Sequence, residues 1–522
     1  MNDSKGTILW VDDEIDLLKP HIFILKERGY AVDTATNGED AVQMIRENVY
    51  DLVFLDEMMP GMGGLETLSE IKNVHPFLPV VMVTKNEAET LMEDAIGRKI
   101  SDYLTKPVNP SQILLTCKKF LERKRIRTEH VTKNYFAEFG TISQKLAESP
   151  TAEEWVDIYA ALTNSEIELD AHPELGLHPM LFDQKREANA AFGRFIESSY
   201  RNWIESDPGK RPVISPDVVS HALLPLLDTN ASVFFFVIDC LRLDQWLGME
   251  SVLQEDFAIT KEYYYALLPT ATPYARNAIF SGLFPIDIEK RFPELWGKGE
   301  DDEHSRNLHE HEFLVDQLQR RRLPLKPEPR YVKILDAGFG RAQEKNIVNF
   351  SKNKLTAIVV NFVDMLAHSR SDIDILKEIA PNEAAYRSLT MSWFNHSWLL
   401  GMFRTIARQK NVKVLLTTDH GSIRVLRGSK VIADRDASTN LRYKFGRNLK
   451  IDEKQAIFVK DPKEYRLPRR LATTNYVIAK EDYYFVYPTD YHRYLNQYRD
   501  TFQHGGISME EVILPIVTME PR

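Results

Sequence analysis

The sequence predicts an α/β protein made of a smaller doubly wound domain, a helical segment and a larger α/β domain. Three observations predict it. Over the first 120 residues, short apolar runs, several ending in a carboxylate, alternate with amphipathic helical stretches. The same alternation returns after residue 211, with longer runs. Between them lies a stretch with helical periodicity and no strand-like run. A chain of 522 residues is too long for one core, and the usual domain size gives about three domains. Boundaries are expected near 1–120, 121–210 and 211–522.

Composition narrows the function. Hydrophobic content of 43% and charged content of 27% are those of an ordinary globular protein. A net charge of −10 gives no general attraction to nucleic acid or anionic membrane, so a phosphate-bearing ligand must be held locally. Cys117 and Cys240 are the two cysteines, too few for a disulfide framework or a thiolate metal site. Asp12, Asp13 and Glu14 follow the first apolar run, unlike a signal peptide. The run Val233–Ile238 is too short to cross a bilayer. A cytoplasmic protein without membrane insertion is expected.

In order, Thr7–Val11 reads as a strand, then a helix to Gly29, a strand Ala31–Ala35, a helix Gly38–Glu47 and a buried strand Asp51–Asp56. Val80–Thr84 and Asp102–Thr105 repeat the pattern. In such a sheet the chemistry gathers at the carboxyl ends of the strands. There lie Asp12, Asp13, Asp56, Thr84 and Lys106. Three clustered carboxylates repel one another unless a hard cation binds, and Mg²⁺ with oxygen ligands fits. A lysine and a hydroxyl on neighbouring strands can hold the oxygens of a phosphoryl group on Asp56. This constellation, with Asp56-Glu57-Met58-Met59-Pro60-Gly61-Met62-Gly63-Gly64, resembles the receiver domain of bacterial response regulators. The resemblance implies that Asp56 is the phosphoacceptor, that Asp12 and Asp13 help bind Mg²⁺, and that Thr84 and Lys106 sense the phosphoryl group. Tyr103 matches the rotating aromatic, and a sensor histidine kinase is the implied partner. Glu57 and Lys85 are bulkier or more charged than usual at their positions.

The last helix of this domain is predicted to continue towards Leu146. Ser149-Pro150-Thr151-Ala152-Glu153-Glu154 then opens another helix with hydroxyl caps and early acidic residues. A third runs from about Pro179 to Ser206, carrying Phe182, Phe192, Phe195, Tyr200 and Trp203. About three helices with aromatic faces make a small bundle, the aromatics forming its core. The basic run Lys118–Arg127 reads as a solvated face, and no DNA-binding helix-turn-helix signature is present.

In the last domain, Val233–Ile238 delivers Asp239, and Leu355–Val363 delivers Asp364, with His368 four residues on. Val412–Thr418 delivers Asp419 and His420, and His504 precedes two glycines. Leu268-Pro269-Thr270-Ala271-Thr272-Pro273 places a hydroxyl at a helix N-terminus, where unpaired N–H groups favour an anion. Each residue alone has a bland explanation as a cap or a hydrogen-bonded core group. Together they read as a two-metal site around Thr272. Carboxylates and imidazoles without thiolates suit Zn²⁺, with Mn²⁺ second.

This order and spacing resemble the alkaline phosphatase superfamily and, within it, the PglZ-type domains. The resemblance implies one zinc on Asp239, Thr272, Asp419 and His420, and another on Asp364, His368 and His504. Thr272 is the implied nucleophile, forming a transient phosphothreonine. Receiver, helical segment and PglZ domain together resemble PorX-type response regulators of Bacteroidetes, linked to type IX secretion. The implied function is a regulator whose output is a zinc-dependent phosphodiesterase. A phosphorylation-dependent homodimer and a secretion-machinery or transcription-factor partner go with it. The alternative is a phosphorylation-controlled scaffold with a structural metal site.

For the substrate, the threonine nucleophile and the Gly282-Leu283-Phe284-Pro285 continuation resemble the phosphodiesterase branch, which implies a diester. A small or cyclic oligonucleotide is expected if Tyr263, Tyr264, Tyr265 and Phe502 stack on bases. A monoester would call on Arg242 or Arg276 for its extra charge. The insertion 286–347 reads as solvated charged surface, with His304, His309 and His311 as a possible extra metal group. Arg442-Tyr443-Lys444-Phe445-Gly446-Arg447, basic residues following as far as Arg470, reads either as a polyanion-attracting patch or as an exposed lid.

Overall fold

The computed structural model describes residues 4–85, 100–296, 307–372, 374–434, 437–469, 471–489 and 491–522. His304, Arg470 and several side chains of the basic run after Lys118 lie outside the described residues. The chain forms two compact units, Met1–Phe136 and Ala137–Arg522.

The first unit is built on five parallel strands: β1 (Thr7–Val11), β2 (Ala31–Ala35), β3 (Leu52–Asp56), β4 (Val80–Thr84) and β5 (Asp102–Thr105), in the order β2-β1-β3-β4-β5. β1 and β3 are central and buried nearly throughout, as continuous apolar runs in a parallel sheet should be. The backbone is helical from Pro110 to Ala147, with a π turn at Lys118–Glu122.

In the second unit, Thr151 caps the helix Ala152–Asp170 through a reciprocal bond with Glu154, and the helix His178–Glu205 follows. Most of the aromatics form core: Trp155 packs 5.2 Å from Phe192, and Trp203 lies 4.9 Å from Tyr265 of the large sheet. Phe182 does not, being 45% exposed with Arg186 5.8 Å from its ring. That sheet contains β6 (Ser232–Ile238), β7 (Phe257–Tyr265), β8 (Arg330–Ile334), β9 (Leu355–Val360), β10 (Val412–Thr417) and the C-terminal strand Ile513–Pro521. From one edge it runs β7, the C-terminal strand, β10, β6, β9, β8. β10, β6, β9 and β8 are parallel, while the C-terminal strand is antiparallel to both its neighbours. Phe235 faces Phe280 of the helix Thr272–Ser281, and Phe236 on the other face meets Phe403 of the helix Trp398–Ala407. Helices therefore cover both faces, and the carboxyl ends of β6, β9 and β10 are left for chemistry. Among the described residues no helix is long and apolar enough to cross a membrane.

The structure corrects several expectations. β9 ends at Val360, not Val363, so Asp364 lies in the first turn of the helix Phe362–Asp372. Phe362 stacks on Trp393 at 3.8 Å, so the apolar letters before Asp364 pack a helix rather than extend a strand. Tyr264, Tyr265 and Phe502 are buried core residues and offer no stacking surface. The start of the basic segment is neither patch nor lid: Arg442, Tyr443 and Lys444 are buried, and Arg442 pairs with Glu511 at 2.5 Å, while Arg447 is exposed. Within the charged insertion, Glu310 and Gln317 are fully buried. His309 lies 3.3 Å from Glu312, and His311 bonds the carbonyl of Pro329, so each has its own partner.

Candidate functional site

Each of three parallel strands hands its chain to a metal-ligand side chain at one edge of the large sheet. Asp239 follows β6, Asp419 and His420 follow β10, and Asp364 and His368 follow β9 at a spacing of four, on one helix face. His504 enters from the segment after the strand Thr501–Gln503, which pairs with Ile423–Val425 just beyond His420. Asp239, Asp419 and His420 bring ligand atoms within 4.8 Å of one another, and so do Asp364, His368 and His504. The two groups adjoin, because the rings of His420 and His504 stack at 4.1 Å and 18°.

Thr272 is the first residue of its helix, after the N-cap Ala271 in extended conformation, which offers no side-chain cap. Its Oγ1 lies 3.0 Å from His420 Nε2. Thr270 does different work. Its hydroxyl donates to the carbonyl of Gly506 at 2.8 Å and accepts from the N–H of Gly505 at 3.1 Å, tying the threonine loop to the His504 loop. Thr270 was missed in the sequence, where only its place two residues before Thr272 could have marked it.

The donor set fits divalent metal ions. Asp239 Oδ1 is buried and accepts no hydrogen bond among the described residues, a costly state for a carboxylate oxygen unless a cation meets it. Its Oδ2 accepts from Asn361 at 2.8 Å and forms an ion pair with Arg276. His420 Nδ1 lies 3.1 Å from the carbonyl of Gly421, so assigning the proton there leaves the Nε2 lone pair facing Asp239 Oδ1 at 3.7 Å and Asp419 Oδ2 at 3.8 Å. Asp364 Oδ1 lies 3.4 Å from His368 Nε2 and 3.7 Å from His504 Nε2.

Burial sets the electrostatics. It pushes the Asp239 carboxyl well above the usual range, with Arg276 opposing it and Asp419 adding to it. Burial would also raise Asp419, but Arg276 and His420 hold it below its ordinary value. Burial likewise works against Asp364, and His368, His504 and His420 override it. His420 is driven down to about 4 by burial and is neutral at pH 7. A neutral imidazole keeps the lone pair that a metal ion requires, so it is suited to be a ligand rather than a counter-ion.

The two arginines separate. Arg276 is fully buried one helical turn beyond Thr272 and reaches Asp239, Asp419 and Glu310. Arg242 pairs instead with Asp244 at 2.5 Å and Glu383 at 3.1 Å, so it is structural rather than poised over the ligands.

In the receiver unit, Asp12, Asp13 and Asp56 also bring oxygens within 4.8 Å of one another. Lys106 Nζ lies 2.9 Å from Asp12 Oδ2 and 3.0 Å from Asp56 Oδ1. Burial raises the Asp56 carboxyl, Lys106 lowers it, and Asp12 and Asp13 raise it further. Thr84 donates its hydroxyl to Glu57, so the unusual glutamate engages the group expected to meet a phosphoryl oxygen. Tyr103 is 42% exposed.

Comparison with known proteins agrees with this architecture. The family model described as the response regulator receiver domain matches residues 8–118, and that of the PorX response regulator linker domain matches 125–204. The model of the BREX system PglZ alkaline phosphatase-like domain matches 218–519, more than half of the chain. Among curated relatives, the transcriptional regulatory protein ZraR of Klebsiella oxytoca is 31% identical over 194 residues, 37% of this chain and 43% of that one. The alginate biosynthesis transcriptional regulatory protein AlgB of Pseudomonas putida is 36% identical over 124 residues, 24% and 28%. The chain thus spans less than half the length of these relatives. Among solved structures, the receiver domain of NtrX from Brucella abortus is 36% identical and covers 22% of this chain and 98% of its own, with a TM-score of 0.21. Vibrio cholerae CheY4 is 27% identical at the same coverage, with a TM-score of 0.22. With a receiver domain, a PorX linker domain and a phosphatase-like domain in succession, the chain is a PorX-type response regulator and belongs to the PglZ alkaline phosphatase-like family.

Proposed function

We propose that the C-terminal domain is a zinc-dependent phosphodiesterase with Thr272 as nucleophile. The observation that carries the reading is Thr272 Oγ1 held 3.0 Å from His420 Nε2, beside the contact of two ligand groups. Asp239, Asp419, His420 and Thr272 would hold one ion, and Asp364, His368 and His504 the other. Two such ions supply Lewis acidity to the attacking and leaving oxygens. In the chain's own share of the reaction, the helix start fixes the Thr272 oxygen in place; the hydroxyl gives up its proton to solvent as its oxygen bonds to phosphorus. The bond to the departing alkoxide breaks, and the alkoxide takes a proton from water. A second water then cleaves the phosphothreonine, its hydroxyl going to phosphorus and its proton restoring Thr272. Diester preference is supported by the arginines: both candidates are committed to buried carboxylates, leaving neither for the additional oxygen of a monoester.

An oligonucleotide substrate finds support in a different set of aromatics from those expected. In the helix Tyr491–Tyr498, the tyrosines are half-buried against a small core containing Ile423 and Val425 rather than fully enclosed. Tyr494 and Tyr498 stack at 5.9 Å and 6°, Lys430 lies 4.9 Å from the Tyr491 ring and Arg493 5.7 Å from that of Tyr494. Aromatic and basic groups interleaved in this way suit single-stranded nucleic acid.

The receiver domain implies a sensor kinase as partner, a histidine kinase in this reading, with Asp56 as acceptor and Mg²⁺ on Asp12, Asp13 and Asp56. Phosphorylation would favour a homodimer. Control of type IX secretion, through a secretion-machinery or transcription-factor partner, rests on likeness to PorX-type regulators. The test is a panel of chromogenic monoester, chromogenic diester and short oligonucleotides, with Zn²⁺ returned after chelation. Diester turnover restored by metal and lost in Thr272→Ala supports the reading, and monoester turnover alone overturns the diester assignment.

A further inference from the structure

The linker domain bears none of the candidate ligands, yet one face of its longest helix grips the loops that do. In His178–Glu205 the residues Asn189, Phe192, Ile196, Tyr200 and Trp203 recur at helical spacing and are all buried. Two of these five are polar, and each is bonded to a different site loop. Asn189 Oδ1 accepts from the N–H of Met509 at 2.8 Å, and its Nδ2 donates to Glu510 Oε2 at 3.0 Å. Met509 opens the short helix after His504-Gly505-Gly506. Eleven residues on, about three helical turns and therefore on the same face, the Tyr200 phenol oxygen accepts from the N–H of Leu268 at 2.9 Å. Leu268 lies four residues before Thr272.

The two gripped loops are also stitched to each other, by Thr270 through Gly505 and Gly506. A third loop is held nearby. Asp170 of the linker pairs with Arg387, which pairs with Asp244 in the loop and helix after Asp239. One rigid helix thus spans the two ends of a loop pair whose inner members are Thr272 and His504. Hydroxyl attack tolerates little displacement, so a support of this kind acts on rate.

We propose that Asn189 and Tyr200 are positioning residues of the hydrolase, making the linker domain part of the scaffold of the active centre rather than a spacer. This rests on the phosphodiesterase reading, and the test separates the two. Tyr200→Phe removes only the acceptor for Leu268 and keeps the ring against Tyr465, 5.5 Å away. Asn189→Leu removes both bonds on the other loop at similar volume. In the full-length protein, three quantities are measured: kcat and KM on a chromogenic diester, bound metal, and hydrogen exchange of segments 266–272 and 504–510. Each variant should lose about tenfold or more in kcat, with KM and metal content within about twofold of the parent. Tyr200→Phe should also speed exchange in 504–510, a segment it does not touch, because Thr270 couples the loops. A kcat within about twofold of the parent in both variants overturns the proposal. So does a loss of kcat matched by equal loss of folded, metal-loaded protein. If the parent turns over no ester, the phosphodiesterase reading fails by itself. The clamp is then decided by exchange alone, unchanged 504–510 in Tyr200→Phe overturning it.

Discussion

Arg276 Nη2 lies 3.0 Å from Asp419 Oδ2, and the same guanidinium pairs with Asp239. It therefore joins two carboxylates of one ligand group through their Oδ2 atoms and leaves Asp239 Oδ1 bare. Its other side approaches Glu310 at 3.7 Å, and Glu310 is held in turn by Lys333 at 2.9 Å. The insertion thus reaches the ligand shell through a buried glutamate and this one arginine. Without the guanidinium, Asp239, Asp419 and Glu310 would be buried with less compensation, and breaking such a pair costs about 3–5 kcal/mol. A divalent cation can replace part of what is lost. Arg276→Met should therefore melt several degrees below the parent after chelation, and Zn²⁺ should raise its melting temperature by more than it raises the parent's. Thermal melts of both proteins, with chelator and with Zn²⁺, check this. Equal metal-induced shifts would mean that Arg276 does not offset the ligand charge.

Metal content is expected to follow the two ligand groups separately. Elemental analysis of the parent should give about two Zn²⁺ per chain, as a paired site requires. His420→Ala and His504→Ala should each lose metal, since each imidazole belongs to one group. Thr272→Ala should keep most of its metal and lose turnover by orders of magnitude, the mark of a missing nucleophile. Full occupancy in both histidine variants would dismiss the ligand assignment.

How much of this was legible in the sequence follows from where each interaction is encoded. Asp239, Asp419 and His420 were legible because they come directly after apolar runs, and parallel strands bring their carboxyl ends to one edge. Asp364 was recognised but placed on a strand, because Phe362 and Val363 carry the same letters in a helix start as in a buried strand. Arg276 with Glu310 was not legible, since a contact across 34 residues and an insertion has no local signature. Arg442 misled for a related reason: a basic segment reads as surface until its partner, Glu511, is known. The tyrosines of β7 were offered to a ligand when the sheet had already claimed two of them for its core.

In the receiver, Thr84 donates to Glu57, and a phosphoryl group on Asp56 must compete for that hydroxyl while facing the glutamate's negative charge. Glu57→Ala removes both obstacles. Beryllofluoride should bind this variant several-fold more tightly than the parent, followed by isothermal titration calorimetry in Mg²⁺. Equal affinity would show that the Thr84–Glu57 bond carries no weight in activation.

The last prediction concerns pH. Burial raises the Asp56 carboxyl above its ordinary value, and Asp12 and Asp13 add to the rise against the pull of Lys106. A carboxyl with a raised folded-state pKa binds protons more readily folded than unfolded. Its contribution to stability is therefore fully present below the unfolded pKa and is lost as pH rises through the folded value. At neutral pH without Mg²⁺, Asp56 is thus a destabilising charge. Asp56→Asn should slow hydrogen exchange in β1 and β3 in chelator at pH 7. The gain should shrink on acidification, because the parent carboxyl then becomes neutral as well, and on adding Mg²⁺, which meets the parent charge with a cation. Exchange measured at pH 7 and at a pH below the ordinary carboxylate pKa of about 3.9, corrected for intrinsic rates, supplies the comparison. A gain that is unchanged at the lower pH, or absent at both, would mean that the cluster is already balanced by Lys106 alone.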